Sequence, residues 1–280
     1  MIVKLKYGSQ KKIKERMFIY KHAFVLARAA LLKNSQTKNI EKHKKGIDFL
    51  KQIVYNYIVI KRKETKQMEK ILIIDTETTN DLTDALVYDC GFIVADFNGN
   101  IYSKHSFVNA DVFCNKELMA SAYFAEKIPT YWNEIKSGSR TLTSFNNIKW
   151  TLRHIMKENN ITKVYAYNCR FDYLALATTQ RYLTKSKYRY FFPFGTQFHD
   201  ILALSRHCFK GDADYHKFCT DNNYLTTYGK DRHTAEIVTQ YLFNRDFIEE
   251  HTALADCEIE YKILLACEKL DGFNFETKMW

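Results

Sequence analysis

A chain of 280 residues with only two prolines and 46% hydrophobic residues has the composition of a folded protein, one large domain or one domain with an appendage. It contains no run of about 18 apolar residues, so no membrane-spanning helix is expected, and no compact apolar core with a small-residue cleavage site follows the basic N-terminus, so no secretory signal is expected. The net charge of +10 invites a nucleic-acid partner, but residues 1–67 carry 18 Lys+Arg against 4 Asp+Glu, whereas residues 68–280 carry 24 against 28.

The basic first quarter reads as two helices, Lys11 to Leu32 and roughly Asn39 to Ile60. Apolar faces on Phe18, Phe24, Leu26 and Leu31, and on Phe49, Leu50, Ile53, Val54, Tyr57 and Ile58, would let them pack as a hairpin. Such an arm could bind nucleic acid or a partner, or be an ordinary solvated helix pair. Met68-Glu69-Lys70 stands directly before the next element as a start codon would. A third reading therefore makes residues 1–67 an overlong gene start, which an N-terminal peptide from 1–67 in the natively expressed protein would refute. The expected organisation is a basic helical extension over 1–67 and a second domain over 68–280.

Ile71-Leu72-Ile73-Ile74 is a continuous apolar run ending at an acid, as in a strand buried on both faces. Side chains alternate along a strand, so Asp75 and Glu77 share a side. Two carboxylates there repel each other and lose solvation unless a cation joins them, and Mg²⁺ takes oxygen ligands. Taken alone, Asp75 is equally a strand-end acid before a turn. Gly91 to Asp96 and Ile101 to Val108 flank Phe97-Asn98-Gly99-Asn100, a hairpin signal. Val164–Tyr167 and Phe198–Asp200 supply a fourth and fifth strand. Helical patterns fill Leu118–Ile135, Thr143–Lys157, Asp172–Tyr182, Tyr215–Asn222, Ala235–Phe243 and Leu254–Leu270.

Two further segments add acids. Asn168-Cys169-Arg170 ends the Val164 strand and Phe171-Asp172 opens a helix, where an acid also serves the helix dipole. In the last helix Asp256 lies three residues before Ile259 and seven before Ile263, on the apolar face, where an acid needs a partner or a metal. His251, five residues earlier, must sit in the preceding loop or a distorted first turn to reach the same place, since five residues turn a helix by about 140°. A near-neutral pKa suits it to general-base work; alone it reads as an exposed helix-start histidine. Arg232-His233-Thr234-Ala235-Glu236 imitates this segment, but Val238 stands where the acid would be, so His233 is read as structural or substrate-proximal.

Asp-x-Glu, Asn-x-x-Phe-Asp and His-x4-Asp in this order resemble the DEDDh exonucleases, the DnaQ-like group, over roughly residues 69 to 270. Thr252 stands where the tyrosine variant of the family would have its tyrosine, and His199-Asp200-Ile201-Leu202-Ala203-Leu204 also looks like a family segment. Asn80 replaces a common glycine, and asparagine tolerates the left-handed conformation. The resemblance implies an α/β, ribonuclease H-like mixed five-stranded sheet flanked by helices. It implies two divalent ions, Mg²⁺ or Mn²⁺, on Asp75, Glu77, Asp172 and Asp256, with His251 taking a proton from water. The products would be nucleoside 5′-monophosphates from 3′ ends of single-stranded DNA or RNA. The backbone at Thr76, Thr78 and Thr79 would hold the terminal nucleotide, and Asn168 and Phe171 would shape the site. A polymerase or other replication protein as partner, a homodimer, and DNA replication or repair are further implications. The alternative is a catalytically silent nucleic-acid-binding module or adaptor.

The stretch from Tyr182 to Phe198 mixes Lys185, Lys187 and Arg189 with Tyr188, Tyr190, Phe191, Phe192 and Phe194. Such a mixture stacks bases or, more often, buries its aromatics in a loop; Tyr123 and Phe124 carry the same two readings. Seven cysteines with no CxxC pair argue for reduced thiols and a cytoplasmic setting rather than a zinc knuckle or disulfide framework. Cys169 is read as a buried filler.

Overall fold

The computed structural model describes residues 69–79, 84–122, 124–184, 190–243 and 245–279, and also 48, 51, 52 and 55, which are helical and exposed. Contacts divide the chain into residues 1–66 and 67–280, and the fold described is that of the second unit. The rest of the two expected N-terminal helices, Asn80, Tyr123, Lys185, Lys187, Tyr188 and Arg189 lie outside the described residues.

Six strands form one mixed sheet in the order β4-β3-β2-β1-β5-β6. They are β1 (Lys70–Thr79), β2 (Leu86–Asp96), β3 (Ile101–Asn109), β4 (Thr141–Thr143), β5 (Lys163–Ala166) and β6 (Gln197–Asp200). The first three are antiparallel neighbours, β5 and β6 run parallel to β1, and β4 runs parallel to β3. With β2 on one side and β5 on the other, β1 is interior, as its apolar run predicted. The expected five strands become six because β4 is only Thr-Leu-Thr, too short to show a period, and is defined by pairing Phe107–Asn109.

Helices cover both faces. On one, α6 (Ile201–Cys208), α7 (Ala213–Asp221), α8 (Ala235–Leu242) and α9 (Ala253–Asp271) bury Leu204, Tyr215, Val238, Ile263 and Leu264 against Ile71, Ile73 and Ile93. On the other, α4 (Phe145–Glu158) and α5 (Cys169–Leu183) bury Ile148, Leu152 and Leu176 against Leu72, Ile74 and Val94. The alternation of Ile71 and Ile73 with Leu72 and Ile74 between the two cores is the period of a strand. A third cluster, around Tyr88, Phe113 and Tyr131, closes the β3–β4 end.

The expected helix Leu118–Ile135 is broken. The short α1 (Ala110–Phe113) and α2 (Lys116–Met119) come first, then a 3₁₀ turn at Ala125–Lys127, then α3 (Ile128–Ser137). Pro129 accounts for the restart: without an N–H and with a ring that clashes one turn back, it belongs in a first turn, where it stands. Helix α6, absent from the sequence expectation, starts at Asp200, whose carboxylate accepts from the Leu202 N–H at 3.0 Å and the Asn168 N–H at 2.9 Å. Among the described residues no helix is long and apolar enough to cross a membrane. All seven cysteines are free thiols.

Candidate active site

Two of the predicted acids lie within the second half of β1 and two open helices. Asp75 and Glu77 continue the parity of Ile71 and Ile73 on β1, so they face α9. Asp172 lies in the first turn of α5 and Asp256 in the first turn of α9. The Thr76 hydroxyl donates to Asp172 Oδ1 at 2.8 Å, tying α5 to β1. Single ligand atoms of Glu77, His251 and Asp256 lie within 4.8 Å of one another.

The start of α9 approaches the sheet closely because β2 offers a glycine there. Gly91 pairs with Asp75, and a Cβ on it would lie 2.4 Å from both the Ala253 carbonyl carbon and the Leu254 nitrogen, so only glycine fits. A second tie is Asp89, opposite Glu77 in the ladder. Fully buried, it accepts from Tyr131 Oη at 2.7 Å, from Arg140 at 2.6 Å and from the Ala253 N–H at 3.1 Å. Burial pushes its pKa up, and Arg140, Tyr131 and the Ala253 N–H pull against that.

His251 stands two residues before α9, in one of the two places its spacing allowed, at φ +49. This is the left-handed region that non-glycine residues rarely occupy. Phe124 stacks on its ring at 4.3 Å, nearly parallel, and Glu249 Oε2 is 3.9 Å from Nδ1. Burial and then Lys127 hold its pKa below the usual value, which favours a neutral imidazole with a lone pair.

Electrostatically the cluster is unresolved by the protein alone. Burial raises Asp75 well above the carboxylate range, with Glu260, Asp172, Glu77 and Asp256 adding to the rise. Burial and then Asp256 raise Glu77; burial and then Glu249 raise Asp256; burial raises Asp172 against its bond from Thr76. Lys127, from the 3₁₀ turn, pulls Glu77 and Asp256 back. Asp172 Oδ2 and Asp256 Oδ1 are buried with no hydrogen-bond partner among the described residues. Orphaned oxygens on converging carboxylates are the donor set of a hard divalent cation, so the residues fit Mg²⁺ or Mn²⁺.

The other predicted residues are placed as follows. Thr76 and Thr78 are buried beside the acids, while Thr79 is fully buried with its hydroxyl on the Leu86 carbonyl at 3.4 Å. Asn168 takes the left-handed conformation at φ 61 and leads into α5, and Phe171 packs against the α4–α5 core. His233 stacks on Tyr215 at 4.9 Å. It also lines, with Asp75, Glu249, Glu260, Arg206 and Arg232, a cleft of about 450 Å³. His199 hydrogen-bonds Thr277 at 2.9 Å, and Asp200 caps α6. Of the aromatic loop, Phe191 and Phe192 are buried and Arg153 holds its carbonyls, while Tyr190 and Phe194 are exposed.

The sequence reading passed over Asp89, Lys127, Glu249 and Glu260. Glu260 had a visible signal, one turn beyond Asp256 on the same helix face. Asp89 had none, because it sits inside an apolar strand and its partners come from α3, the following loop and α9.

No protein-family model matches the chain, and no curated protein matches it in sequence. Among solved structures it is similar to E. coli exonuclease I in complex with a 5cy-dT13 oligonucleotide, at TM-score 0.44 and 13% identity over 72% of this chain and 40% of that one. It is also similar to exonuclease I in complex with the inhibitor BCBP, at TM-score 0.45 and 13% identity over 74% and 41%. The chain thus spans about two fifths of the length of these structures.

Proposed function

We propose that residues 68–280 are a metal-dependent 3′→5′ exonuclease of the DEDDh type on a ribonuclease H-like sheet, releasing nucleoside 5′-monophosphates from single-stranded nucleic acid. The observation that carries this reading is the cluster itself: four carboxylates from β1, α5 and α9, two with orphaned buried oxygens, with His251 in the loop just before α9, its ring stacked by Phe124.

Asp75, Glu77, Asp172 and Asp256 would hold the cations. When bound there, Mg²⁺ or Mn²⁺ supplies Lewis-acid activation of the attacking water and neutralises charge on the leaving 3′-oxygen. The chain does the rest. His251 accepts the water proton as the oxygen–phosphorus bond forms. Phe124 on one face of the imidazole and Glu249 near Nδ1 fix the ring, and the strained backbone holds it at the mouth of the loop. Thr76 orients Asp172. Arg206 and Arg232, both exposed and lining the same cleft as Asp75, supply positive charge where a phosphodiester backbone would run.

Digestion of 5′-labelled single-stranded DNA and RNA with Mg²⁺, Mn²⁺ or EDTA tests this, with Asp75→Ala alongside. The expected result is a metal-dependent ladder shortening from the 3′ end and absent in the variant. Tight binding without cleavage of either strand would reject the reading in favour of a nucleic-acid-binding module.

A further inference from the structure

A fifth acid shares this site. Glu260 lies four residues after Asp256 on α9, one turn along the same face. Only 3% of its surface is exposed, and its Oε2 is buried with no hydrogen-bond partner among the described residues. Glu260 and Asp75 line the same cleft. Of the charges acting on Asp75, that of Glu260 weighs most, ahead of Asp172, Glu77 and Asp256. In turn, Asp172 and then Asp256 are the acids that weigh most on Glu260. The Tyr167 backbone N–H favours its charged form, placing it where the end of β5 meets the start of α5.

A carboxyl group in such a position has two ways to be stable. It can carry a proton, whose donor then needs an acceptor, or it can face a cation. Among the described residues no group donates to Oε2 or accepts from it. Helix α9 needs no glutamate there for packing: Cys257, Tyr261 and Leu264 do that work against the sheet. Glu260 instead lines the cleft that Asp75 lines.

We propose that Glu260 is a fifth carboxylate ligand of the divalent-cation site, acting on the side bounded by Asp75 and Asp172. The inference rests on the exonuclease reading for the cation's presence, but it is tested by binding rather than turnover. Mn²⁺ would be titrated into the full-length protein by calorimetry, with free Mn²⁺ followed by its electron paramagnetic resonance signal, for wild type, Glu260→Gln and Asp75→Ala. The Gln variant keeps the shape and the acceptor for Tyr167. The proposal expects it to weaken the lower-affinity Mn²⁺ at least tenfold while the metal-free protein melts at or above the wild-type temperature. A Gln isotherm superimposable on wild type, with Asp75→Ala still abolishing binding, overturns the proposal and leaves the exonuclease reading standing. No Mn²⁺ binding by wild type overturns both. Glu260→Asp, which keeps the charge but withdraws it by one methylene, serves if the Gln variant does not fold, with the same outcomes.

Discussion

Two sets of buried acids lie side by side at this end of the sheet, and they are built on opposite principles. Asp89 is charge-paired from within: Arg140, Tyr131 and the Ala253 N–H all meet its Oδ2, and only its Oδ1 has no hydrogen-bond partner among the described residues. Asp75, Glu77, Asp172, Asp256 and Glu260 share a space one strand away and raise each other's pKa. Glu77 and Asp89 are even direct partners across the β1–β2 ladder. A buried acid whose partners are all side chains and amides of the same chain is a structural strut. A group of acids with no Arg or Lys bonded to any of them among the described residues is, on the function proposed above, a socket for a cation. The strut serves the socket, since Asp89 anchors the first residue of α9, three positions before Asp256 and two after His251.

The contrast can be broken most severely at Arg140. Arg140→Ala leaves Asp89 buried and unpaired and should cost about 3–5 kcal/mol of stability. Adding Asp89→Asn should recover much of this, as measured by urea denaturation. If Arg140→Ala melts like wild type, Asp89 is not the strut described.

Next in size is the effect of filling the socket. Mn²⁺ at about a hundred times its dissociation constant should stabilise the protein by about 2.7 kcal/mol, seen as a rise in Tm that EDTA reverses. Asp256→Asn should shrink that rise and leave the metal-free protein no less stable, because one repelling charge has gone.

Gly91→Ala probes the joint between the two regions. Its methyl would press on the Ala253–Leu254 backbone, so about 1–3 kcal/mol should be lost. Cleavage should fall further than stability explains, because α9 carries Asp256 and follows His251. Equal activity per folded molecule would show that α9 tolerates displacement.

The smallest effect concerns a third acid, Asp96, in the β2–β3 hairpin. Burial works to raise it, but Asn100, Tyr102 and two backbone N–H groups hold its pKa below the usual value. A depressed folded pKa contributes stability above the unfolded value of about 3.9 that is lost as pH falls through the folded one. Asp96→Asn should therefore lower stability at neutral pH, flatten the acid limb of the stability profile, and leave stability at low pH little changed.

Much of this was legible in the sequence because local pattern and final position coincide. The Ile71–Ile74 run, the Asn98-Gly99 hairpin and the spacing of Asp256 against Ile259 and Ile263 each belong to one element. The arithmetic of a helix turn put His251 in the loop before α9 or in a distorted first turn, and it stands in the loop. What escaped depends on neighbours distant in sequence. Strand β4 exists through its pairing with β3, and Pro129 divided a helix that apolar spacing alone had joined. Asp89 looks misplaced in an apolar strand until Arg140 and Ala253 arrive from 51 and 164 residues away. Glu260 differs, since its period was in view and only its unpartnered burial, a tertiary fact, made it meaningful.

The measurement that bears most directly on the strut-and-socket contrast is anomalous scattering from crystals soaked in Mn²⁺. The account predicts manganese density among Asp75, Glu77, Asp172 and Asp256 and none at Asp89. Density that avoids these four carboxylates in a crystal with an accessible cleft would contradict it.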